Sequence, residues 1–288
     1  MPSTTDSATT RDGIRLLTRH WASALPVPRG AVLLVHGLGE HSGRYEEVGD
    51  QFVGAGFEVF AWDHRGFGAS GGERAYLDRF SEFHDDVEDR LATVRTAIPQ
   101  GTPVVLYGHS LGGLIALGYC ESDRAQPDLL VLSAPGIDDV LAAWKKTAAP
   151  ILARVMPRLR IANGISSTML SRDRVRQAAV DRDPLMLSTS TTKFGALAFA
   201  EQPRVRAALG RLRVPTLVIH GLDDPVVPAR ATEPLAALPT VTRRAYAGVR
   251  HELHNEPEGP AISGDVVAWI DGHLDGQPAG AGVPSGDN

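Results

Sequence analysis

The sequence has few of the features that mark secreted, membrane-spanning or nucleic-acid-binding proteins. It contains one cysteine, Cys120, which excludes an internal disulfide. No apolar run reaches the roughly 18 residues that a transmembrane helix needs, and the chain begins with a polar stretch, so we expect neither a membrane anchor nor a standard signal peptide. Lysine and arginine form no long block and the net charge is -5, which argues against nucleic-acid partners. We therefore expect a cytoplasmic protein.

The composition does supply enough apolar residues for one large core. The chain has 288 residues, of which 43% are hydrophobic and 22% are charged. This balance is typical of one globular domain with an insertion. Residues 1–11 are polar and residues 275–288 are rich in glycine and proline, so we expect disordered tails at both ends. Cys120 lies in an apolar stretch and is expected to be a small core residue.

Short apolar runs alternate with helical patterns along most of the chain. Six runs predict buried strands, at residues 31–37, 57–63, 103–108, 129–135, 215–221 and 242–248. Amphipathic helix patterns lie between or after them, at residues 45–56, 83–98, 110–123, 228–238 and 262–274. This order predicts an α/β fold with a mostly parallel, doubly wound sheet, in which sites form at the carboxyl ends of the strands.

The segment at residues 136–211 interrupts this alternation. It has no convincing strand pattern, so we expect a helical cap inserted between two parts of the core, residues 12–135 and 212–274. Its basic residues lie among apolar residues at helical spacing: Lys145, Lys146, Arg154, Arg158, Arg160 and Arg172. Two interpretations stay open. The cap could touch an anionic membrane surface transiently, or its apolar faces could pack on the domain itself.

The pentapeptide at residues 108–112, GHSLG, follows a predicted strand and begins a predicted helix. This setting is typical of the sharp turn that carries a nucleophilic serine, here Ser110. Gly108 and Gly112 supply the small residues that the strained turn needs, because a Cβ at either position would meet neighbouring backbone. The motif also arises by chance in chains rich in glycine, so the assignment of Ser110 depends on partner residues elsewhere in the chain.

A nucleophilic serine needs a histidine as base and an acid that orients it, each on a loop after a later strand. Of the ten histidines, His251, His254 and His273 lie beyond the next acidic loop. The loop after the last predicted strand favours His251 as the base, with His254 as the alternative, while His273 lies in the last helix. Asp223 and Asp224 both follow the fifth predicted strand, and their position favours Asp224, with the other aspartate capping the turn.

Acyl transfer also needs N–H donors for the oxyanion that develops on the substrate. The main chain of Leu111, directly after the serine, and of Leu38, in the loop after the first predicted strand, would supply them. His251 and His254 are three residues apart in a loop and do not form the helical HExxH pair of a zinc site. The pattern indicates a serine hydrolase that uses no metal and no other cofactor.

Five motifs in this order resemble the monoacylglycerol lipase family of the α/β-hydrolase superfamily, especially its actinobacterial members. They read HGLGEHSGRY at 36–45, WDHRGFGASGG at 62–72, GHSLGG at 108–113, HGLDDPVVP at 220–228 and YAGVRHELHNEP at 246–257. The resemblance covers nearly the whole chain. It implies an α/β-hydrolase fold with a lipid-facing cap, the triad Ser110, Asp224 and His251, and the oxyanion donors Leu38 and Leu111.

The resemblance further implies hydrolysis of monoacylglycerols to glycerol and a free fatty acid. Four polar residues would contact the glycerol end: Glu40, Arg44, His109 and His254. A structural ion pair is the alternative for Glu40 and Arg44, and a buried turn residue is the alternative for His109. One position departs from the family pattern, because mammalian members carry a cap tyrosine where this chain has Val180.

Three other classes of protein share parts of this pattern. A lysophospholipase, a general carboxylesterase or a proline-type peptidase of the same fold would differ only in the cap. Haloalkane dehalogenases and epoxide hydrolases need an aspartate at the nucleophile position, which Ser110 excludes. A binding protein without activity often lacks a triad residue, whereas this sequence has candidates for all three.

Overall fold

The computed structural model describes residues 2–140 and 143–274, and only the backbone of residues 143–145. The expected tail at residues 275–288 and cap residues 141 and 142 lie outside the described part. None of the described helices combines the length and the low polarity that crossing a lipid bilayer requires.

A large twisted sheet forms the centre of the molecule. The described residues contain ten strands: β1 (Thr4–Thr9), β2 (Arg15–Trp21), β3 (Ala31–Val35), β4 (Glu58–Trp62), β5 (Val104–His109), β6 (Leu129–Ser133), β7 (Arg160–Ala162), β8 (Thr189–Thr191), β9 (Thr216–Gly221) and β10 (Val241–Tyr246). Eight of these form one sheet in the order β1-β2-β4-β3-β5-β6-β9-β10. The strands from β4 to β10 in that order pair in parallel. The predicted α/β fold with a mostly parallel, doubly wound sheet is confirmed.

Helices cover both faces of this sheet. The described α-helices are α1 (Glu46–Gly54), α2 (Ser81–Ala97), α3 (Leu111–Cys120), α4 (Ala143–Val155), α5 (Ser167–Leu170), α6 (Arg174–Arg182), α7 (Thr192–Ala208) and α8 (Gly259–Leu274). The helix predicted at residues 228–238 is instead 3₁₀ (Ala229–Ala237). It contains Pro234, which has no N–H for an α-helical hydrogen bond. Cys120 is buried in α3, as expected of a core residue.

Successive residues of the central strands contribute to two separate cores. Along β3, Leu33 and Val35 pack with side chains of α2 and α3, whereas Val32 and Leu34 pack with side chains of α1 and α8. The strand is therefore apolar at every position and buried throughout. The same burial on both faces explains why the central strands read as continuous apolar runs in the sequence.

The expectation of a disordered tail over residues 1–11 is wrong for most of that range. Thr4–Thr9 form β1, which pairs antiparallel with β2 at the edge of the sheet. Nearly all of β1 is exposed. An edge strand with solvent on both faces shows no apolar alternation, so its polar sequence looks like a tail.

The inserted segment at residues 136–211 is mainly helical, with α4 to α7, but it is not free of strands. β7 and β8 pair antiparallel as a separate two-stranded sheet. Each has three residues, which is too short for a periodic pattern in the sequence. The structure therefore differs from the expectation of a segment without strands.

Candidate active site

The turn between β5 and α3 holds Ser110 in a strained backbone conformation. Ser110 has φ 52° and ψ -115°, a region that costs a residue other than glycine about 1–3 kcal/mol. A Cβ on Gly108 would lie 2.4 Å from the carbonyl oxygen of Gly112, and a Cβ on Gly112 would lie 2.0 Å from that of Val35. Only glycine fits at these two positions. The turn therefore presents the serine side chain at the carboxyl edge of the sheet.

Ser110, His251 and Asp224 form a continuous chain of hydrogen bonds. The Oγ of Ser110 lies 2.9 Å from the Nε2 of His251, and the Nδ1 of His251 lies 2.7 Å from the Oδ2 of Asp224. The three residues follow β5, β10 and β9, whose carboxyl ends meet at one edge of the sheet. When Nδ1–H donates to Asp224, the Nε2 is left as an acceptor for the serine hydroxyl.

The structure distinguishes the two adjacent aspartates after β9. Asp223 is exposed, whereas Asp224 is buried. The Oδ1 of Asp224 accepts hydrogen bonds from the backbone N–H groups of Val226 and Val227, at 2.8 and 3.0 Å. Burial alone would raise the pKa of Asp224, but attraction to His251 and the hydrogen bonds hold this pKa well below its usual range. The carboxylate beside His251 therefore stays charged.

The environment of His251 favours its protonated form. Burial alone would lower the pKa of His251, because it disfavours the charged imidazolium. The negative charges of Asp224, Glu252 and Glu40 outweigh burial and raise this pKa above its ordinary value. The ring is therefore stabilised in the state that it would reach on accepting a proton from Ser110.

The loop at residues 36–41, which we call the oxyanion loop because it contains the predicted donor Leu38, approaches Ser110 from β3. A Cβ on Gly37 would lie 3.2 Å from the Cβ of Ser110, so the loop backbone passes close to the serine. The backbone N–H of Gly37 donates to the Oε1 of Glu40 at 2.5 Å. Leu38 is the next residue and lines the same cavity as Ser110. Leu111 begins α3, where the first N–H groups have no acceptor within the helix.

Glu40, Arg44 and Glu252 form a buried ionic network beside the triad. The Nη1 of Arg44 lies 2.7 Å from the Oε2 of Glu40 and 2.6 Å from the Oε1 of Glu252, and its Nη2 lies 2.8 Å from the Oε2 of Glu252. The three side chains are at most 9% exposed. Glu40 and Arg44 therefore form the ion pair that the sequence left as an alternative, and both also line the cavity.

Glu252 was missed by the reasoning from sequence. It belongs to the loop at residues 247–256, which we call the base loop because it carries His251. The sequence indicates only that a charged residue directly follows the candidate base. A single sequence gives no indication that Arg44, 208 positions away, reaches this carboxylate.

His109 and His254 are buried neighbours of His251. The ring of His254 stacks on Tyr45 with centroids 4.9 Å apart, and it meets the ring of His109 edge-on at 5.1 Å. Burial lowers the pKa of both histidines to about 3, so both rings are neutral at neutral pH. His109 lies on the cavity wall, whereas His254 lies behind it. The structure thus brings three of the four predicted glycerol contacts to the wall.

The triad opens into a cavity of about 380 Å³ between the sheet edge and the inserted segment. This volume is typical of a small-molecule site. The core contributes the floor: Gly37, Leu38, Glu40, Arg44, His109, Ser110, His251 and Glu252. The inserted segment contributes the roof: Asn163, Ile165, Ser166, Ser167, Leu170, Val180, Asp181, Asp183, Met186, Leu187 and Ser188. Another cavity, of about 330 Å³ beside β1 and α2, contains none of these residues.

Two direct contacts hold the roof against the oxyanion loop. The Nε2 of His41 lies 2.8 Å from the Oδ2 of Asp183. The backbone N–H of Leu187 donates to the carbonyl oxygen of Gly39 at 2.7 Å. Sequence reasoning did not single out these residues, because each pairs with a partner far along the chain.

Comparison with known sequences identifies the family. Residues 26–258 match the family described as "Serine aminopeptidase, S33". A monoacylglycerol lipase of Mycolicibacterium smegmatis is 34% identical over 271 residues, which cover 91% of this chain and 95% of that protein. A monoglyceride lipase of Homo sapiens is 32% identical over 281 residues, which cover 95% of this chain and 91% of that protein.

Solved structures agree with these sequence relatives. The crystal structure of the Paleococcus ferrophilus monoacylglycerol lipase has a TM-score of 0.81 and 29% identity, and covers 90% of this chain and 99% of that chain. A soluble variant of the Saccharomyces cerevisiae monoglyceride lipase, in complex with a substrate analog, has a TM-score of 0.83, 23% identity and 95% coverage of both chains, which supports the fold. The chain therefore belongs to the serine aminopeptidase S33 family and, within the α/β-hydrolase fold, to the monoacylglycerol lipase family.

Proposed function

We propose that this chain hydrolyses monoacylglycerols to glycerol and a free fatty acid. The observation that carries the proposal is the hydrogen-bonded chain of Ser110, His251 and Asp224 at the floor of a cavity of about 380 Å³. The sequence relatives with the highest identities described above are monoacylglycerol and monoglyceride lipases, which supports this class of ester.

The first half of the reaction transfers the acyl group to Ser110. Its Oγ attacks the ester carbonyl carbon while the Nε2 of His251 accepts the hydroxyl proton. The carbonyl π electrons move onto oxygen, and the N–H groups of Leu38 and Leu111 donate to this oxyanion. When the intermediate collapses, the bond to glycerol breaks, and the leaving oxygen takes the proton from His251.

The second half of the reaction releases the fatty acid. A water molecule gives a proton to His251 and attacks the acyl carbon, and the same two N–H groups receive the negative charge. Collapse breaks the bond to Ser110, whose oxygen recovers the proton from His251. Asp224 stays ionised throughout and keeps the imidazole in the productive tautomer.

The glycerol end of the substrate is proposed to lie against Glu40, Arg44 and His109, which line the cavity floor. The two charged groups already bind each other, so glycerol hydroxyl groups would join an existing network rather than form a new one. His254 would support this end from behind, by packing on His109 and Tyr45.

The charges of the cavity wall favour an uncharged alcohol over a phosphate. Four carboxylates line the described cavity, those of Glu40, Asp181, Asp183 and Glu252, against the guanidinium of Arg44. Arg44 is itself bound to two of these carboxylates. A phosphate group would therefore meet net negative charge. This observation favours a monoacylglycerol over an anionic lysophospholipid.

We further propose that residues 136–211 form a cap that contacts a membrane surface transiently. Ile151 and Val155, on α4, are 69% and 73% exposed, although both are apolar. Lys146 and Arg158 are paired with nearby carboxylates. The contact would therefore depend on apolar side chains more than on positive charge.

Replacement of the nucleophile, measured with a panel of substrates, tests the activity. The wild type should hydrolyse monoacylglycerols faster than diacylglycerols, triacylglycerols or an anionic lysophospholipid. Ser110→Ala should lose at least about 10⁴-fold in kcat with an unchanged Tm. Ser81→Ala, at the exposed start of α2, is the control and should keep full activity. Near-normal turnover by Ser110→Ala, or a preference for diacylglycerols, would overturn the proposal.

A further inference from the structure

Glu252 directly follows His251 and is buried although it is charged. Its carboxylate accepts hydrogen bonds from both terminal nitrogens of Arg44, at 2.6 and 2.8 Å, and from the Nδ2 of Asn255, at 2.8 Å. The side chain is 2% exposed. A buried carboxylate is costly unless donors satisfy it, and here donors bind both oxygens. The carboxylate is therefore held in one orientation.

Through Arg44, Glu252 connects the base loop to the oxyanion loop. Arg44 also donates to the Oε2 of Glu40, at 2.7 Å, and the Oε1 of Glu40 accepts the backbone N–H of Gly37, at 2.5 Å. Gly37 directly precedes Leu38, the proposed oxyanion donor. The contacts that connect the two loops thus run through three buried charged side chains and end at the backbone next to Leu38.

The backbone of Glu252 adds a contact with the roof. Its N–H donates to the carbonyl oxygen of Leu170 at 2.8 Å. Leu170 is buried and lines the cavity. Glu252 therefore lies where the base loop, the oxyanion loop and the roof meet.

The ionisable groups around His251 leave a surplus of negative charge. They are Asp224, Glu40, Glu252, Arg44, His109 and His254. The two neighbouring histidines are neutral, because burial lowers the pKa of each to about 3. The single positive charge of Arg44 stands against the three carboxylates. The net negative charge around His251 is therefore larger than that of Asp224 alone. Negative charge beside an imidazole stabilises its protonated form.

We propose that Glu252 is a positioning residue for acyl transfer. Its carboxylate locks the base loop to the oxyanion loop through Arg44 and adds a second negative charge beside His251. This inference rests on the proposed function only in that Ser110 and His251 perform acyl transfer. It does not depend on which alcohol the ester contains.

Glu256 lies in the same loop and offers a matched comparison. It is also buried, its Oε2 lies 2.8 Å from the Nε of Arg172, and its Oε1 accepts the backbone N–H of Arg250 at 3.0 Å. It does not line the cavity that contains Ser110. Replacing it removes a buried, paired carboxylate from the base loop without removing the ion pair to Arg44.

The test compares Glu252→Gln with Glu256→Gln across pH. Two rates are measured: kcat/KM for p-nitrophenyl butyrate, and labelling of Ser110 by a fluorophosphonate. The acidic side of the pH profile of kcat/KM, which we call the acid limb, reports the pKa of His251 in the enzyme without bound substrate. Loss of the negative charge destabilises the imidazolium, so Glu252→Gln should move this limb to lower pH by roughly one unit. The plateau value of kcat/KM for this variant should fall about tenfold, because the base loop and the oxyanion loop are no longer held together.

Glu256→Gln should lower Tm but keep the acid limb of the wild type. Glu252→Asp keeps the charge with a shorter reach to Arg44, so it should keep the acid limb and lose plateau rate. This variant also answers the question if Glu252→Gln does not fold. An unshifted limb in folded Glu252→Gln, an equal shift in Glu256→Gln, or a wild-type plateau in Glu252→Asp would overturn the proposal.

The two rates separate this proposal from the proposed substrate. If the wild type is labelled and cleaves p-nitrophenyl butyrate but leaves monoacylglycerols intact, the substrate proposal fails and the comparison of variants still decides the role of Glu252. A folded wild type that is neither labelled nor active would overturn both.

Discussion

The floor and the roof of the cavity are built in different ways. Most floor residues lie at or shortly after the carboxyl ends of sheet strands, and His109 and His251 are at most 2% exposed. The roof comes from residues 163–188, where Asp181 is exposed and Val180 is half-buried. In the floor, the side chains of Glu40, Arg44 and His251 each make at least two hydrogen bonds, whereas several roof side chains face partly into solvent. We infer that the floor determines the chemistry and binds the alcohol, and that the roof modifies which ester is accepted.

A change in the hydrogen-bonded chain that supports the floor should have the largest effect, and the two aspartates after β9 provide a matched pair. Asp224→Asn keeps the shape of the side chain, but its Nδ2 would donate towards His251 and favour the wrong tautomer. We expect kcat to fall about 10⁴-fold while the protein stays folded. Asp223→Asn, at the exposed neighbour, should leave kcat unchanged. A loss of less than about tenfold in Asp224→Asn would contradict its role.

Much of the floor could be predicted from the sequence because local geometry leaves few options. The turn around Ser110 needs glycine on both sides, and the acid and the base must follow later strands in a fixed order. These constraints favoured Asp224 and His251, whose contacts with each other and with the serine support that choice. The six predicted strands lie within two residues of the observed ends, because strands buried on both faces read as unbroken apolar runs.

The parts that sequence reasoning missed share a physical cause. β1 is an exposed edge strand, and β7 and β8 have three residues each, so none of them shows a periodic pattern. The contact of Glu252 with Arg44, on which its proposed role depends, forms only after folding. Roof contacts such as that of His41 with Asp183 depend on folding in the same way.

A change on α4, in the part of the inserted segment that lies outside the roof, should have a smaller effect, and only at a lipid surface. Replacing Ile151 and Val155 by glutamate puts charge where a bilayer would bury apolar groups. We expect about a tenfold lower rate on monoacylglycerol in vesicles and an unchanged rate on dissolved p-nitrophenyl butyrate. Val27→Glu, at a position outside the inserted segment that is 64% exposed, is the control and should change neither rate. Equal rates of monoacylglycerol hydrolysis in vesicles for all variants and the wild type would contradict the proposed membrane contact.

The smallest effect is expected inside the roof, at Val180, which lines the cavity. Val180→Tyr adds a hydroxyl group that can hydrogen-bond to the alcohol part of the substrate, and one neutral hydrogen bond contributes about 0.5–1.5 kcal/mol. KM for a monoacylglycerol should therefore fall about two- to tenfold. Val180→Phe controls for the added ring, and the methyl ester of the same fatty acid controls for the alcohol. The tyrosine and phenylalanine variants could instead have the same KM for each of the two esters. In that case the side chain at position 180 acts only by filling space, and the alcohol is recognised by the floor.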